Sequence, residues 1–178
     1  MDKITLVTGG AKSGKSLFAE THVRAYGLPL VYIATSQAFD TEMEDRIAAH
    51  KTQRGAGWDT VEEPLDLCGA LARTDGAGAR LVDCMTLWLS NVMHAELDWQ
   101  AELEKMLQSL REQFSPVVLV TNEVGGGIVP MSALARRYRD ASGLMNQRLA
   151  ASAGHVVMVT CGLPLALKGS ATAPASLA

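Results

Sequence analysis

Short apolar runs alternate with stretches of helical period along the chain, with breakers between them. Ile4, Thr5, Leu6, Val7 and Thr8 form an uncharged run closed by Gly9 and Gly10, the pattern of a buried strand. Residues 15–26 then read as a helix stopped by Gly27 and Pro29, and residues 30–34 as a second strand. Asp40 is placed to cap a helix running to about Thr52, with Gly55 and Gly57 ending it. Pro64 fits the first turn of a helix that carries Leu65, Leu67 and Leu71 and ends before Gly76. Leu81, Val82, Asp83 and Cys84 make a short strand running into an apolar helical stretch, residues 85–93.

The second half repeats the alternation. Leu103, Met106, Leu107, Leu110 and Phe114 fall at helical spacing, and Pro116 breaks that stripe. Residues 117–121 are the plainest strand in the chain. Gly125, Gly126 and Gly127 separate it from a helix starting near Ser132, with Leu134, Tyr138, Ala141, Met145 and Leu149 on one face. Residues 155–160 read as the last central strand, and 163–167 as a candidate edge strand. The Ala/Ser/Pro-rich tail, 170–178, is expected to be disordered. Five β-α alternations predict one α/β domain, residues 1–169, with a mainly parallel sheet and helices on both faces. Ligands of such sheets bind at the carboxyl ends of the strands, so the chemistry belongs just after each strand.

Length and charge narrow the classes. A chain of 178 residues suits a single domain with a real core, and 48% hydrophobic against 20% charged residues excludes general disorder. A net charge of -3 offers no cationic field for nucleic acid. No stretch reaches the roughly 20 apolar residues of a membrane span, and the first residues lack a signal-peptide pattern. Cys68, Cys84 and Cys161 sit among apolar neighbours without metal-ligand spacing, which reads as buried free thiols and a cytoplasmic protein.

The first candidate chemistry follows the first strand. Gly9, Gly10, Ala11, Lys12, Ser13, Gly14, Lys15 and Ser16 fit G-x-x-x-x-G-K-S/T at every position, between a strand and a helix. Glycines let backbone N–H groups converge on phosphate oxygens, and the helix N-terminus adds its dipole. Lys15 can reach the β- and γ-phosphates, and the Ser16 hydroxyl is placed for Mg²⁺. Asp83, ending its strand, is either a second metal ligand or a cap for the helix after it. Ser36 and Gln37 after the second strand, and Asn122 and Glu123 after the Val117 strand, are expected on the same edge.

Of four histidines, His22, His94 and His155 lack polar clusters and read as structural or surface residues. Arg46, His50 and Arg54 are spaced i, i+4, i+8, with Lys51 alongside. Two readings fit: a solvated face with Glu42 paired to Arg46, or an anion site whose imidazole attacks phosphorus. From the residues alone the leading function is a magnesium-dependent nucleotide phosphotransferase. A nucleotide-hydrolysing switch, which would need an Asn-Lys-x-Asp motif absent here, and a small-molecule kinase without a second activity are the rivals.

The phosphate loop, Tyr32 to Ser36, Asp40 to Arg54, Thr121 to Pro130 and Asn146 to Leu149 come in a fixed order. Together they resemble the bifunctional adenosylcobinamide kinase/adenosylcobinamide-phosphate guanylyltransferase family of cobalamin biosynthesis. The resemblance implies a single-domain, RecA-like P-loop NTPase fold and a homotrimer. It implies phosphorylation of adenosylcobinamide by ATP or GTP, then transfer of GMP from GTP through a guanylyl-histidine. The family's histidine falls on His50. Its GTP contacts fall on Gly9 to Ser16, on Ala34, Thr35 and Ser36, on Lys51, Thr52, Gln53 and Arg54, and on Glu62 and Asp83. Some members have adjacent histidines where this chain has Ala49 and His50, and Asp83 replaces a common Glu. For the trimer, the apolar segments 85–93 and 106–114 could supply contact surface or could be core.

Overall fold

The computed structural model describes residues 3–38 and 41–172. The Asp40 cap and residues 173–178 of the tail lie outside the described residues, as do the side chains of Glu42, Met43, Arg46 and Gln53. Seven strands form one sheet: β1 (Ile4–Thr8), β2 (Leu30–Ala34), β3 (Trp58–Glu62), β4 (Ala79–Asp83), β5 (Val117–Val120), β6 (His155–Thr160) and β7 (Leu163–Lys168). Their order across the sheet is β3-β2-β4-β5-β1-β6-β7. All neighbours are parallel except β7, which returns antiparallel to β6.

Parallel strands need both faces covered, and the side chains divide accordingly. Ile4, Leu6, Val31, Ile33, Val82, Val117 and Leu119 face one layer. There they meet α3 (Leu67–Thr74), α4 (Met85–His94), α5 (Trp99–Glu112) and α6 (Ala133–Ser152). The alternate positions Val7, Tyr32, Leu81, Val118, Val120, Val157 and Val159 face α1 (Lys15–Arg24) through Ala19 and Val23. The remaining helix is α2 (Thr41–Arg54).

Several sequence expectations change. β3 was not anticipated: Asp59 and Glu62 interrupt its apolar positions, as an edge strand with an exposed side allows. Pro64 does not open α3. Asp66 caps it, accepting from the Gly69 amide at 2.9 Å, while the Glu63 carboxylate accepts from the Leu65 and Asp66 amides and closes the turn before it. The apolar residues of segments 85–93 and 106–114 are mainly core: Met85, Trp88, Leu89, Val92, Met106 and Leu110 are buried, and among them Phe114 alone is largely exposed. Leu134 also faces solvent, whereas Ala141, Met145 and Leu149 point inward.

The thiols are not all buried. Cys84 is, and burial followed by the neighbouring Asp83 charge pushes its thiol up to about 11. Cys68 is half-buried and Cys161 is exposed in the turn between β6 and β7. The histidines outside α2 are accounted for: His22 is buried against the Thr5 hydroxyl at 3.3 Å, exposed His94 lies with Nδ1 3.0 Å from the Ser90 carbonyl, and His155 Nδ1 accepts from the Ser170 amide at 3.0 Å. That last bond ties the start of the tail to the body.

Candidate functional site

The carboxyl ends of β1, β5, β4, β2 and β3 lie side by side along one edge. Register pairs Val7 with Val120, Val120 with Asp83, Asp83 with Ala34, and Ala34 with Glu62. The phosphate loop and Asp83 are thus two strand positions apart, with the residues after β5 between them.

Backbone bonds brace the loop from both sides. Gly9 accepts from the Glu123 amide at 3.1 Å, and the Ser13 carbonyl accepts from the Gly162 amide at 2.9 Å. A Cβ on Gly9 would collide with the Val159 carbonyl oxygen and the Ser13 side chain. Gly14 stands at φ 95°, a left-handed conformation that glycine takes without steric cost, and α1 starts at the next residue. Lys15 Nζ donates to the Gly10 carbonyl at 3.2 Å, folding back over the loop. The buried Ser13 hydroxyl finds no partner among the described residues. An unsatisfied buried hydroxyl beside free helix-start amides is a fit for phosphate oxygens.

Asp83 is the centre of the ionic part. Its Oδ2 accepts from the Tyr32 hydroxyl at 3.0 Å. Burial raises its carboxyl above the ordinary value, while Tyr32 and the charges of His50, Lys15 and Arg54 pull it back. The cap reading fails, because Cys84 holds the N-cap position of α4 and no side chain caps there. Ser16 hydroxyl and Asp83 carboxylate are hard oxygen donors, the chemistry Mg²⁺ accepts together with phosphate oxygens.

The residues of α2 separate. The helix extends to Arg54, so the i, i+4, i+8 relation is real, but its members do not share one exposed face. His50 is exposed; Arg54 is 7% exposed and lies with its guanidinium carbon 3.5 Å from the Tyr32 ring centre. Arg54 Nη2 reaches the Thr60 hydroxyl at 3.4 Å, and its Nε has no partner among the described residues. Lys51 pairs with Glu62 at 3.8 Å, joining two expected nucleotide contacts across α2 and β3. Thr52 is exposed and bonds back to the Ala48 carbonyl at 3.0 Å. Ala34 and Ser36 are half-buried at the edge. Thr35 is fully buried, its hydroxyl donating to the Cys84 carbonyl and accepting from the Cys84 amide, both at 2.8 Å. Its role is to bind the β2 end to the β4 end.

Two features escaped the sequence. Glu20, one turn after Ser16 on α1, is a buried carboxyl raised by burial and by Asp83, and lowered by Arg54, Arg24 and His50. Its i+4 spacing from Ser16 was the available signal. The second feature is a polar network. Asn122 Nδ2 donates to the Thr86 hydroxyl at 2.9 Å, the Thr121 hydroxyl donates to Asn146 Oδ1 at 2.8 Å, and the Tyr138 hydroxyl donates to the Thr86 carbonyl at 2.9 Å. It locks the β5 end to α4 and α6.

A braced phosphate loop on a parallel sheet, with an acidic strand end two positions away, defines a P-loop nucleotide-binding α/β protein. Residues 5–167 match the model of the cobinamide kinase/cobinamide phosphate guanyltransferase family, and the chain belongs to that family. It is 45% identical to the bifunctional adenosylcobalamin biosynthesis protein CobP of Pseudomonas aeruginosa, over 92% of this chain and 96% of that one. It is 41% identical to the protein CobU of Salmonella typhimurium, described in the same words, over 92% and 98% of the two chains. Among solved structures, an ATPase of the type III secretion system of pathogenic bacteria superposes with a TM-score of 0.54 at 8% identity. That match spans 93% of this chain and 57% of the other, and at such identity it speaks for the fold alone.

Proposed function

We propose that this chain performs two successive transfers at one nucleotide edge. ATP or GTP first phosphorylates the hydroxyl of adenosylcobinamide. GMP then passes from GTP through His50 to the phosphate so formed, giving adenosylcobinamide-GDP and pyrophosphate. The observation that carries this reading is the braced phosphate loop after β1 with the buried Asp83 carboxylate at the end of β4, two strand positions along the same edge.

In the first transfer the acceptor oxygen bonds to the γ-phosphorus, the β–γ bridging bond breaks and the nucleoside diphosphate leaves. Lys15 and the amides at the start of α1 hold the negative charge that builds on the phosphoryl oxygens. In the second, an imidazole nitrogen of His50 bonds to the α-phosphorus of GTP and pyrophosphate leaves. A phosphate oxygen of the acceptor then displaces the imidazole and frees His50. Mg²⁺, held by Ser16 and Asp83, would supply neutralisation of the nucleotide phosphates. Arg54, buried and with one N–H unpartnered among the described residues, is suited to a phosphate or base oxygen of the same nucleotide.

A homotrimer and a cytoplasmic setting belong to the same reading. β7 supports association: all six of its residues are exposed, with Leu163, Leu165 and Leu167 among them, on the free edge of the sheet. Light scattering at micromolar concentration should return three times the chain mass. No helix among the described residues is long and apolar enough to cross a membrane. Incubation with α-labelled GTP and Mg²⁺, followed by denaturing electrophoresis, tests the central claim. A labelled protein band that is stable in base and lost in acid is expected, and an unlabelled band would sink the guanylyl-histidine step.

A further inference from the structure

Beside the phosphate loop lies a cavity of about 480 Å³, lined by Gly10–Ser13 on one wall and by Met158–Cys161 on another, with Glu123 and Gly126 completing it. The phosphate loop sets this space against the nucleotide, and the nucleotide reading gives no role to its other lining residues, Glu123, Gly126 and Met158–Cys161. Glu123 follows β5, the strand between the phosphate loop and Asp83, and its amide donates to Gly9 at 3.1 Å, so it is fixed to the loop itself. One of its carboxylate oxygens, Oε1, accepts from the Gly125 amide at 2.6 Å. A Cβ on Gly125 would stand 2.8 Å from that same oxygen, so glycine there is what lets the side chain fold back. The other oxygen, Oε2, has no hydrogen-bond partner among the described residues.

We propose that Glu123 is the general base of the kinase step and that this cavity receives the hydroxyl-bearing arm of the acceptor. The inference rests on the kinase half of the function proposed above. Transfer from a nucleoside triphosphate to an alcohol releases one proton, which must leave the attacking oxygen as the O–P bond forms. Here the hydroxyl proton passes to Glu123 Oε2, the acceptor oxygen bonds to the γ-phosphorus, and the bridging oxygen departs with the nucleoside diphosphate. Glu123 is exposed, so solvent then takes the proton.

Among the described residues, the strand-end acids at this edge other than Glu123 are engaged elsewhere. Asp83 is buried and bonded to Tyr32, Glu62 pairs with Lys51, and Glu63 holds the turn before α3 and pairs with Arg73. Glu20 is buried beneath α1. Glu123 combines attachment to the loop with access to the cavity.

The test compares Glu123→Gln and Glu123→Asp with the wild type, using adenosylcobinamide as acceptor and γ-labelled ATP or GTP as donor. Gln keeps an oxygen for the Gly125 N–H and the same shape, so its loss is confined to proton acceptance. Expected for Glu123→Gln is a fall in kinase kcat of about 10²- to 10³-fold, with the dissociation constant for a non-hydrolysable triphosphate within threefold of wild type. The acidic limb of the wild-type pH profile should vanish in Glu123→Gln, and Glu123→Asp should retain more activity than Gln. Kinase kcat within threefold of wild type in Glu123→Gln, or a loss that leaves the pH profile unchanged, overturns the proposal. Wild-type protein that fails to phosphorylate adenosylcobinamide with either donor overturns the kinase reading on which it stands.

Discussion

The guanidinium carbon of Arg54 stands 3.5 Å from the centre of the Tyr32 ring, and the hydroxyl of that ring donates to Asp83 at 3.0 Å. One aromatic side chain therefore joins the last residue of α2 to the acidic end of β4. The cation is 7% exposed, so its attraction to the ring face is not screened away as at a surface. The arrangement also fixes the direction in which the helix bearing His50 ends.

Replacing Arg54 by Met keeps an apolar stem but removes the cation. The expected cost is about 1–2 kcal/mol of stability, a fall of roughly 2–8 °C in melting temperature. Arg54→Lys should fall between the two, because a point charge stacks less well on a ring than a planar guanidinium. Thermal melts of the three proteins decide it, and a Met variant that melts with the wild type would contradict the account.

Asp83 gives a pH prediction with a definite sign. Burial holds its carboxyl above the ordinary 3.8, more strongly than Tyr32, His50, Lys15 and Arg54 pull it down. The folded protein therefore binds this proton more tightly than the unfolded chain. Its contribution to stability is fully present below the unfolded pKa and is lost as pH rises through the folded one. Asp83→Asn has no such titration. In metal-free buffer the melting temperature of Asp83→Asn should gain on wild type as pH rises above the ordinary carboxyl value of 3.8, while phosphoryl transfer with Mg²⁺ collapses. A difference that stays constant over that range would be the wrong result.

How much could be read beforehand depends on whether a feature is contiguous. Residues 4–16 carry strand, glycine turn and helix start in one stretch, so the loop and its place on the sheet were plain from order alone. The strands at 30–34 and 117–120 are apolar on both faces because both faces are covered, and that too is written locally, whereas β4 was legible only from Leu81 because the buried Arg80, paired with Asp75, breaks its apolar run. β3 was hidden because an edge strand needs only part of its residues buried, and Asp59 and Glu62 make it look like a loop. The burial of Arg54 was hidden for a different reason: helical spacing predicts which residues share a face, while Tyr32, distant in sequence, and Trp58, in the unanticipated strand after the helix, draw this one inward. Glu20 reads in sequence as an ordinary helix-surface acid, and only the packing of α1 on the sheet buries it.

Lys15→Ala should remove phosphoryl transfer and leave the fold. The side chain's bond in the structure is to the Gly10 carbonyl, which water can replace at the loop surface, so little stability is at stake. In the proposed function its charge faces the γ-phosphate during transfer, and loss of one such stabilising donor costs about 10²- to 10³-fold in kcat. Kinase turnover near the wild-type value in a variant with an unchanged melt would remove Lys15 from the mechanism.

In the proposed function His50 separates the two transfers. The γ-phosphoryl step uses Lys15, Ser16 and the acceptor hydroxyl and involves no protein nucleophile. The guanylyl step needs a nitrogen that bonds to phosphorus and lets go again. His50 is exposed near the end of α2, so truncating it removes no core packing, and the melt should stay within about 0.5 kcal/mol of wild type. His50→Ala should lose the acid-labile GMP label and all formation of adenosylcobinamide-GDP. Phosphorylation of adenosylcobinamide should continue at a substantial fraction of the wild-type rate. If His50 only shaped the edge around Asp83, both activities would fall together or neither would. Label retained in His50→Ala would move the nucleophile to another residue, and kinase activity lost in parallel with the label would deny that the two steps are chemically independent.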